Sequence, residues 1–140
     1  MTQIFFYHDA QDRIQAMAFL IAKTVAQQKK LLVFAPEESL AESLDRQLWI
    51  SPPTSFIPHV REDSPLADKT PVVITNSLEN MTHDERLFNL SNEIPVSFAR
   101  FQSVIEVVGK EAEEREKGRE RVKFYKERGY TIRFFNLGEP

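Results

Sequence analysis

The apolar residues of this chain form short continuous runs that are separated by stretches with helical spacing. The run Ile4-Phe-Phe-Tyr7 is followed by apolar residues at intervals of three or four from Ile14 to Val25, which indicates a strand followed by a helix. Lys30-Leu-Leu-Val-Phe-Ala35 is a second strand-like run, and Pro36 with two glutamates after it is typical of the first turn of a helix. The chain therefore begins with the pattern β-α-β-α.

Further apolar runs predict the remainder of a sheet beyond the proline-rich stretch that follows Trp49. The segment Ser55-Phe-Ile-Pro-His59 contains a proline, which lacks a backbone donor, so it is predicted to be an edge strand or an extended loop. A highly charged segment from Lys110 to Arg128 is predicted to be a helix that ends at Gly129. The other predicted strands are Pro71–Thr75, Arg86–Leu90, Ser103–Val108 and Tyr130–Phe135.

Strands that are apolar along their whole length and alternate with helices favour a parallel sheet covered on both faces. The predicted fold class is therefore α/β, with a doubly wound, mainly parallel sheet. With 140 residues, of which 41% are hydrophobic, the chain is long enough for one well-buried core. We predict a single domain over residues 1–140.

Doubly wound sheets often bind nucleotides at a glycine-rich turn after the first strand. The corresponding turn here is His8-Asp9-Ala10-Gln11, and the four glycines stand at positions 109, 118, 129 and 138. Neither a dinucleotide-binding fingerprint nor a P-loop can be written anywhere in the chain. The prediction is a nucleotide-binding-like fold without a nucleotide site.

Composition narrows the functional classes further. A net charge of −3 gives no overall field that would attract the protein to nucleic acid or to an anionic membrane. The absence of cysteine excludes disulfides, thiolate nucleophiles and sulfur-ligated metals. Neither a signal peptide nor an apolar run of membrane-spanning length is present, so a cytoplasmic protein without membrane contact, cofactor or metal is expected.

Positive charge is concentrated near the C-terminal end, where nine Lys or Arg stand against six Glu between positions 110 and 133. On a helix, Arg115, Arg119 and Lys126 fall within about 40° of one another. They border an apolar stripe of Gly118, Val122 and Tyr125. The pattern is compatible with a solvated helix face, or with a groove in which arginines bind the carboxylates of an acidic peptide.

His8 and Asp9 follow the first predicted strand, at the sheet edge where active sites of such folds gather. They are therefore a candidate acid and base for a small enzyme, although a capping aspartate and a loop histidine are the commoner interpretation. His59 and His83 show no spacing that suggests a metal site. Trp49, the single tryptophan, is either a core aromatic or an exposed anchor of an interface.

Several stretches together resemble the chi subunit of bacterial DNA polymerase III. The likeness runs from end to end, and its most specific piece is Leu-Trp followed by a proline-bearing spacer and Ser-Phe-Ile-Pro-His. The resembling stretches are Ile4–Tyr7, Ser43–Trp49, Ser55–His59 and Gly118–Lys126.

The resemblance implies an accessory subunit of the clamp-loader complex, not an enzyme by itself, that takes part in DNA replication. Chi proteins pair with the psi subunit and hold the acidic, phenylalanine-ending C-terminal tail of single-stranded DNA-binding protein (SSB). Carried over residue by residue, the SSB-tail site would use Arg119 as the main carboxylate clamp, with Arg115, Val122, Lys126 and Trp49. The psi surface would comprise Phe56, Ile57, Pro58 and His59.

Two other functions stay open from the residues alone. One is the small enzyme that uses His8 and Asp9. The other places single-stranded DNA on the basic helix, with Phe124 and Tyr125 as stacking partners. An acidic protein with one basic ridge makes direct binding of nucleic acid the weaker idea, so nucleic acid is expected as an indirect or weak partner only.

Overall fold

A computed structural model of the chain describes residues 2–50, 57–78 and 84–138. Three α-helices cover Arg13–Ala26 (α1), Glu38–Ile50 (α2) and Ala112–Glu127 (α3). The strands are Gln3–Ala10 (β1), Leu31–Phe34 (β2), His59–Arg61 (β3), Val72–Thr75 (β4), Arg86–Asn89 (β5), Ser103–Gly109 (β6) and Ile132–Asn136 (β7). Two short 3-10 helices lie at Ala67–Lys69 and Phe98–Arg100.

The strands of the described residues form one seven-stranded sheet in the order β3-β4-β2-β5-β6-β1-β7. Each of their pairings is parallel, so the predicted doubly wound α/β fold with a parallel sheet is confirmed. The first strand lies between two strands from the end of the chain, since Ile4 is paired with Val104 on one side and with Ile132 on the other. The two ends of the chain therefore build one side of the sheet.

Helices cover the sheet on both faces, because the central strands are apolar on both. α1 and α2 pack on one face through a core that includes Met17, Ile21, Leu44 and Leu48, each at most 1% exposed. On the other face α3 packs through Tyr125, which is fully buried in a core that includes Phe98 of the second 3-10 helix and Phe101 after it. The α1 crossover and the α3 crossover leave in opposite directions from the neighbouring strands β1 and β6.

The ends of two helices follow directly from single residues. Asp12 caps α1, since its side-chain Oδ1 accepts a hydrogen bond from the backbone N–H of Gln15 at 3.1 Å. α3 ends in a Schellman motif in which Gly129 adopts φ +82° and the N–H of Tyr130 bonds back to the carbonyl of Tyr125 at 3.0 Å. The predicted end of this helix at Gly129 is confirmed.

Other predicted boundaries shift. β1 extends three residues beyond Tyr7 to Ala10 through an irregularity in its pairing with β6, and Asp9 within it has φ 61°. Aspartate tolerates this left-handed conformation better than most residues, which allows the bulge. Of the predicted edge segment at 55–59, residues 55 and 56 lie outside the described residues, and the last one, His59, begins strand β3 at one edge of the described sheet. None of the described helices is long and apolar enough to cross a membrane.

Candidate functional site

A cavity of about 350 Å³ lies between α3 and the three adjacent strands β6, β1 and β7 at one side of the sheet. Its lining comes from β6, α3 and β7, which are consecutive in the chain, and from β1 at the other end of the described residues, which the sheet places between β6 and β7. The lining residues are Phe6, His8 and Asp9 of β1, Val108 of β6, Phe134 of β7, and Arg115, Arg119, Val122 and Lys126 of α3.

The floor of the cavity is apolar. Phe6 and Phe134 meet edge to face with their ring centroids 5.8 Å apart. α3 approaches the sheet closely here because Gly118 has no side chain, and a Cβ atom at this position would stand 2.9 Å from a methyl carbon of Val108. Val122, one turn further along the helix, completes the floor. A narrow apolar space results, within the size range of small-ligand pockets.

The rim of the cavity is cationic. Arg115, Arg119 and Lys126 are separated by one and two helical turns, so all three project from α3 on the side of the cavity. The ammonium group of Lys126 lies 5.6 Å from the ring centroid of Phe134, a cation–π distance that joins rim to floor. The structure thus brings together four of the five residues assigned from sequence to the SSB-tail site.

His8 and Asp9 lie in this same cavity, where sequence analysis treated them as a separate candidate site. His8 Nδ1 and Asp9 Oδ2 are 2.6 Å apart, and the hydrogen bond from His8 lowers the pKa of Asp9, with Arg115 and Lys110 acting in the same direction. Asp9 is therefore an anion within a cationic rim. Among the described residues that line the cavity there is no Ser, Thr or Cys that His8 could activate as a nucleophile.

The sequence analysis missed a buried polar network beneath α3. Glu106 of β6 is 0% exposed and accepts hydrogen bonds from Arg121 Nε at 3.0 Å and from the Tyr125 hydroxyl at 2.7 Å. Asn89 Nδ2 donates to both carboxylate oxygens at 3.1 and 2.9 Å. Burial, and after it the charge of Glu106, raises the pKa of Tyr125, so this hydroxyl remains a donor. These contacts fix the rotation of α3 and with it the direction of the cationic rim.

Trp49 does not lie at the margin of the cavity, contrary to the expectation from sequence. It is at the end of α2, which covers the opposite face of the sheet, and its ring meets that of His59 with centroids 5.2 Å apart. β3, which carries His59, is at the far edge of the described sheet from β7. Trp49 is 60% exposed and Ile50 is 64% exposed, so they form an apolar surface patch away from the cavity.

The residues expected on the psi surface have different environments. Phe56 lies outside the described residues. Ile57 belongs to the core at 3% exposure, and His59 is 8% exposed, with Nδ1 2.7 Å from the carbonyl of Ile57 and Nε2 3.1 Å from Asp45 Oδ1. Pro58 between them is exposed. Of the three described residues, only Pro58 is exposed to a partner. Ile57 and His59 are buried and anchor the backbone on either side of it.

The stacking role expected for the aromatic residues of α3 conflicts with the structure. Tyr125 is fully buried, because it faces the sheet and binds Glu106. The ring of Phe124 packs against the second core, and the guanidinium of Arg128 covers it at 3.7 Å from the centroid. Neither ring offers a free face to a nucleic-acid base. In residues 2–50, 57–78 and 84–138 no group of three acidic or histidine side chains is placed to hold a metal ion.

Comparison with known proteins shows which protein family the chain is similar to. Residues 1–133 match the family model described as DNA polymerase III chi subunit, HolC. A protein of Pseudomonas aeruginosa named DNA polymerase III subunit chi is 30% identical over 143 residues, which cover 98% of each chain. A Haemophilus influenzae protein of the same name is 30% identical over 111 residues, 79% of this chain and 77% of the relative.

Proposed function

Because the chain belongs to the DNA polymerase III chi subunit family, we propose that it is a non-catalytic accessory subunit that bridges two proteins in the bacterial cytoplasm. One partner is the acidic C-terminal tail of SSB, and the other is the psi subunit of the clamp-loader complex. The observation that carries the proposal is the cavity beside α3, with three cations around an apolar floor.

The chemistry of the cavity suits a peptide that ends in an apolar residue. A phenylalanine ring would enter the space between Phe134 and Val122, where it leaves water for an apolar floor. The terminal carboxylate and neighbouring aspartates would then meet the rim. Arg119 is the main clamp in this scheme, because a guanidinium can bind a carboxylate through two parallel hydrogen bonds, whereas Lys126 contributes a point charge.

The psi surface is proposed at the other edge of the sheet. The exposed side chains of Trp49, Ile50 and Pro58 form its described part, and we therefore move Trp49 from the tail site to this surface. A large exposed aromatic ring beside an aliphatic side chain is the usual composition of an interface centre. Seven strands at the usual spacing separate the two edges by about 29 Å. Both partners can therefore bind at the same time without touching.

The test is a titration with a fluorescent acidic peptide that ends in Asp-Ile-Pro-Phe. We expect binding that weakens with added salt, and a loss of roughly tenfold or more in Arg119→Ala, since a charge-assisted hydrogen bond contributes about 1.5–3 kcal/mol. Lys117→Ala is the matched control, because it removes the same charge from the same helix outside the cavity lining. Amidation of the peptide C-terminus should weaken binding to the wild type far more than to Arg119→Ala.

A second arm separates the two surfaces. Trp49→Ala should leave peptide binding unchanged and weaken capture of purified psi, whereas Arg119→Ala should do the reverse. If the peptide does not bind even at low salt, the tail-docking function is wrong. Loss of peptide binding in Trp49→Ala would return that residue to the tail site and overturn the two-edge arrangement.

A further inference from the structure

We call the cavity beside α3 the tail cavity. The opposite face of the sheet carries a second exposed surface, beside β1 and β7. α1 runs from β1 towards β2 and does not cover β7, so side chains of β7 that point to this face are left exposed. Phe135 is 38% exposed, and its ring stacks on that of Tyr7 with centroids 4.6 Å apart and an angle of 18°. Phe5 continues the stack, 6.4 Å from Phe135. We call Phe5, Tyr7 and Phe135 the aromatic stack.

Cations surround the aromatic stack. Arg133 is the register partner of Phe5 and, two residues before Phe135, lies on the same face of the strand. Lys23 of α1 and Arg86 of β5 line a cavity of about 150 Å³ together with Phe5 and Tyr7. This small cavity adjoins a second, more open cavity, because Phe5 and Arg86 line both.

No carboxylate of the described residues forms a salt bridge with Lys23, Arg86 or Arg133. The Nε atom of Arg86 is buried and has no hydrogen-bond partner within the described part of the chain. In addition, residues 14–36 contain three lysines (Lys23, Lys29 and Lys30) and not one Asp or Glu, although the whole chain is acidic. The cations beside the aromatic stack are therefore not neutralised by a carboxylate of the described residues, and Lys23 and Arg133 are exposed to an anionic ligand.

Stacked rings with one exposed member, flanked by unneutralised cations, are the elements of a single-stranded nucleic-acid site. A base can extend the stack on Phe135, and the phosphates that flank it can reach Arg133 and Lys23. An acidic peptide would satisfy the cations but would leave the stack without a planar partner. We propose that the aromatic stack and its cations bind single-stranded DNA directly, on the face of the sheet opposite to the tail cavity.

The choice of variants follows from β7 itself, since successive residues point to opposite faces of the sheet. Phe135 belongs to the aromatic stack, whereas its neighbour Phe134 lines the tail cavity. A labelled oligothymidylate of about 12 nucleotides is titrated by fluorescence anisotropy at about 20 mM and about 200 mM salt. Phe135→Ala should weaken binding of the oligonucleotide by roughly tenfold. Phe134→Ala should leave it unchanged and weaken binding of the acidic peptide instead.

The cations are tested in the same assay. With two phosphate contacts, from Arg133 and Lys23, the logarithm of the affinity should fall with the logarithm of the salt concentration with a slope of about −1.4, and Arg133→Ala or Lys23→Ala should each reduce the size of that slope by about 0.7. Lys117→Ala, on the opposite face, should not. Retained peptide binding by Phe135→Ala and Arg133→Ala shows that these variants are folded.

Three results would overturn the inference. The first is the absence of salt-dependent binding of the oligonucleotide to the wild type. The second is an equal loss in Phe134→Ala and Phe135→Ala, which would move the contact away from the stack. The third is equally tight binding of a polyglutamate with the same charge to Arg119→Ala, in which the cavity beside α3 is disabled, because the occupant of the aromatic stack would then be an acidic polypeptide. Because peptide and oligonucleotide are measured separately, failure of this site leaves the proposed tail site untouched.

Discussion

Replacement of Glu106 by glutamine tests whether the buried network beneath α3 holds the helix in place. The carboxylate is completely buried and accepts from Arg121, Tyr125 and Asn89. Glu106→Gln has almost the same shape but carries no charge. Arg121, which is 2% exposed, would then remain charged and buried, and its two terminal nitrogens already have no hydrogen-bond partner among the described residues. The variant thus isolates the electrostatic part of the network.

The expected cost is about 3–5 kcal/mol in the free energy of unfolding, because removal of one partner leaves the other as an uncompensated buried charge. A domain of this size has a total stability of about 5–15 kcal/mol, so the variant should be close to marginal. The melting temperature should fall by roughly 10–20 °C. The control is Glu120→Gln on the exposed side of α3, with a surface ion pair to Lys117 at 3.9 Å, which should change stability by about 0.5 kcal/mol or less.

Urea unfolding followed by circular dichroism measures these differences. Arg121→Met and the double variant Glu106→Gln with Arg121→Met complete a double-mutant cycle, in which the double variant should be less destabilised than the sum of the singles. A loss below about 1 kcal/mol in Glu106→Gln, or strict additivity in the cycle, would refute the reasoning. The network would then be dispensable for the position of α3, and the direction of the cationic rim would need another cause.

Two further outcomes follow from the cavity and from the buried tyrosine. Asp9→Asn removes the anion from the rim and should strengthen binding of the acidic peptide by roughly fivefold in the anisotropy titration. Unchanged or weaker binding would show that Asp9 does not face the ligand. Because the native state raises the pKa of Tyr125 above its unfolded value of about 10, the contribution of Tyr125 to the unfolding free energy should be constant below about pH 10 and fall above it by up to about 1.4 kcal/mol per pH unit. Urea titrations across this range should show a smaller decline in Tyr125→Phe, and an equal decline in both proteins would contradict the assignment.

The spacing of apolar residues was sufficient to predict the regular strands and helices that have a continuous apolar run or an apolar face. The end of α3 was predictable because Gly129 is the residue that best adopts the left-handed conformation that a Schellman motif requires. The end of β1 was not, since His8 and Asp9 look like a loop and their bulge depends on the pairing with β6. A local pattern of apolar residues predicts whether a segment forms a strand or a helix. It does not predict the irregular end of β1, which depends on pairing with β6, about a hundred residues away.

The cationic rim of the candidate site was accessible from helical spacing, because its three residues share one helix, whereas Phe6, Val108 and Phe134 of the floor were not. Sequence analysis placed Trp49 with the residues of the cavity, because local patterns do not reveal the order of the strands. In the structure Trp49 lies beside β3, at the opposite edge of the described sheet from β7 and the cavity. The buried network did leave a signal. Glu106 is a lone carboxylate inside a strand that is otherwise apolar, and a buried charge there requires a basic partner from the helix that covers it.

The pairing of the first strand with the last two has a consequence for how the protein is made. β1 leaves the ribosome before its partners β6 and β7, which lie about 100 and 130 residues further along the chain. At bacterial rates of synthesis, roughly 6–24 seconds pass between the emergence of β1 and that of β7. During this interval the apolar residues of β1 have no sheet to join and are open to chaperones. The cavity beside α3 takes its walls from β1 as well as from β6, α3 and β7, so a chain whose synthesis has not yet reached β7 lacks the complete cavity.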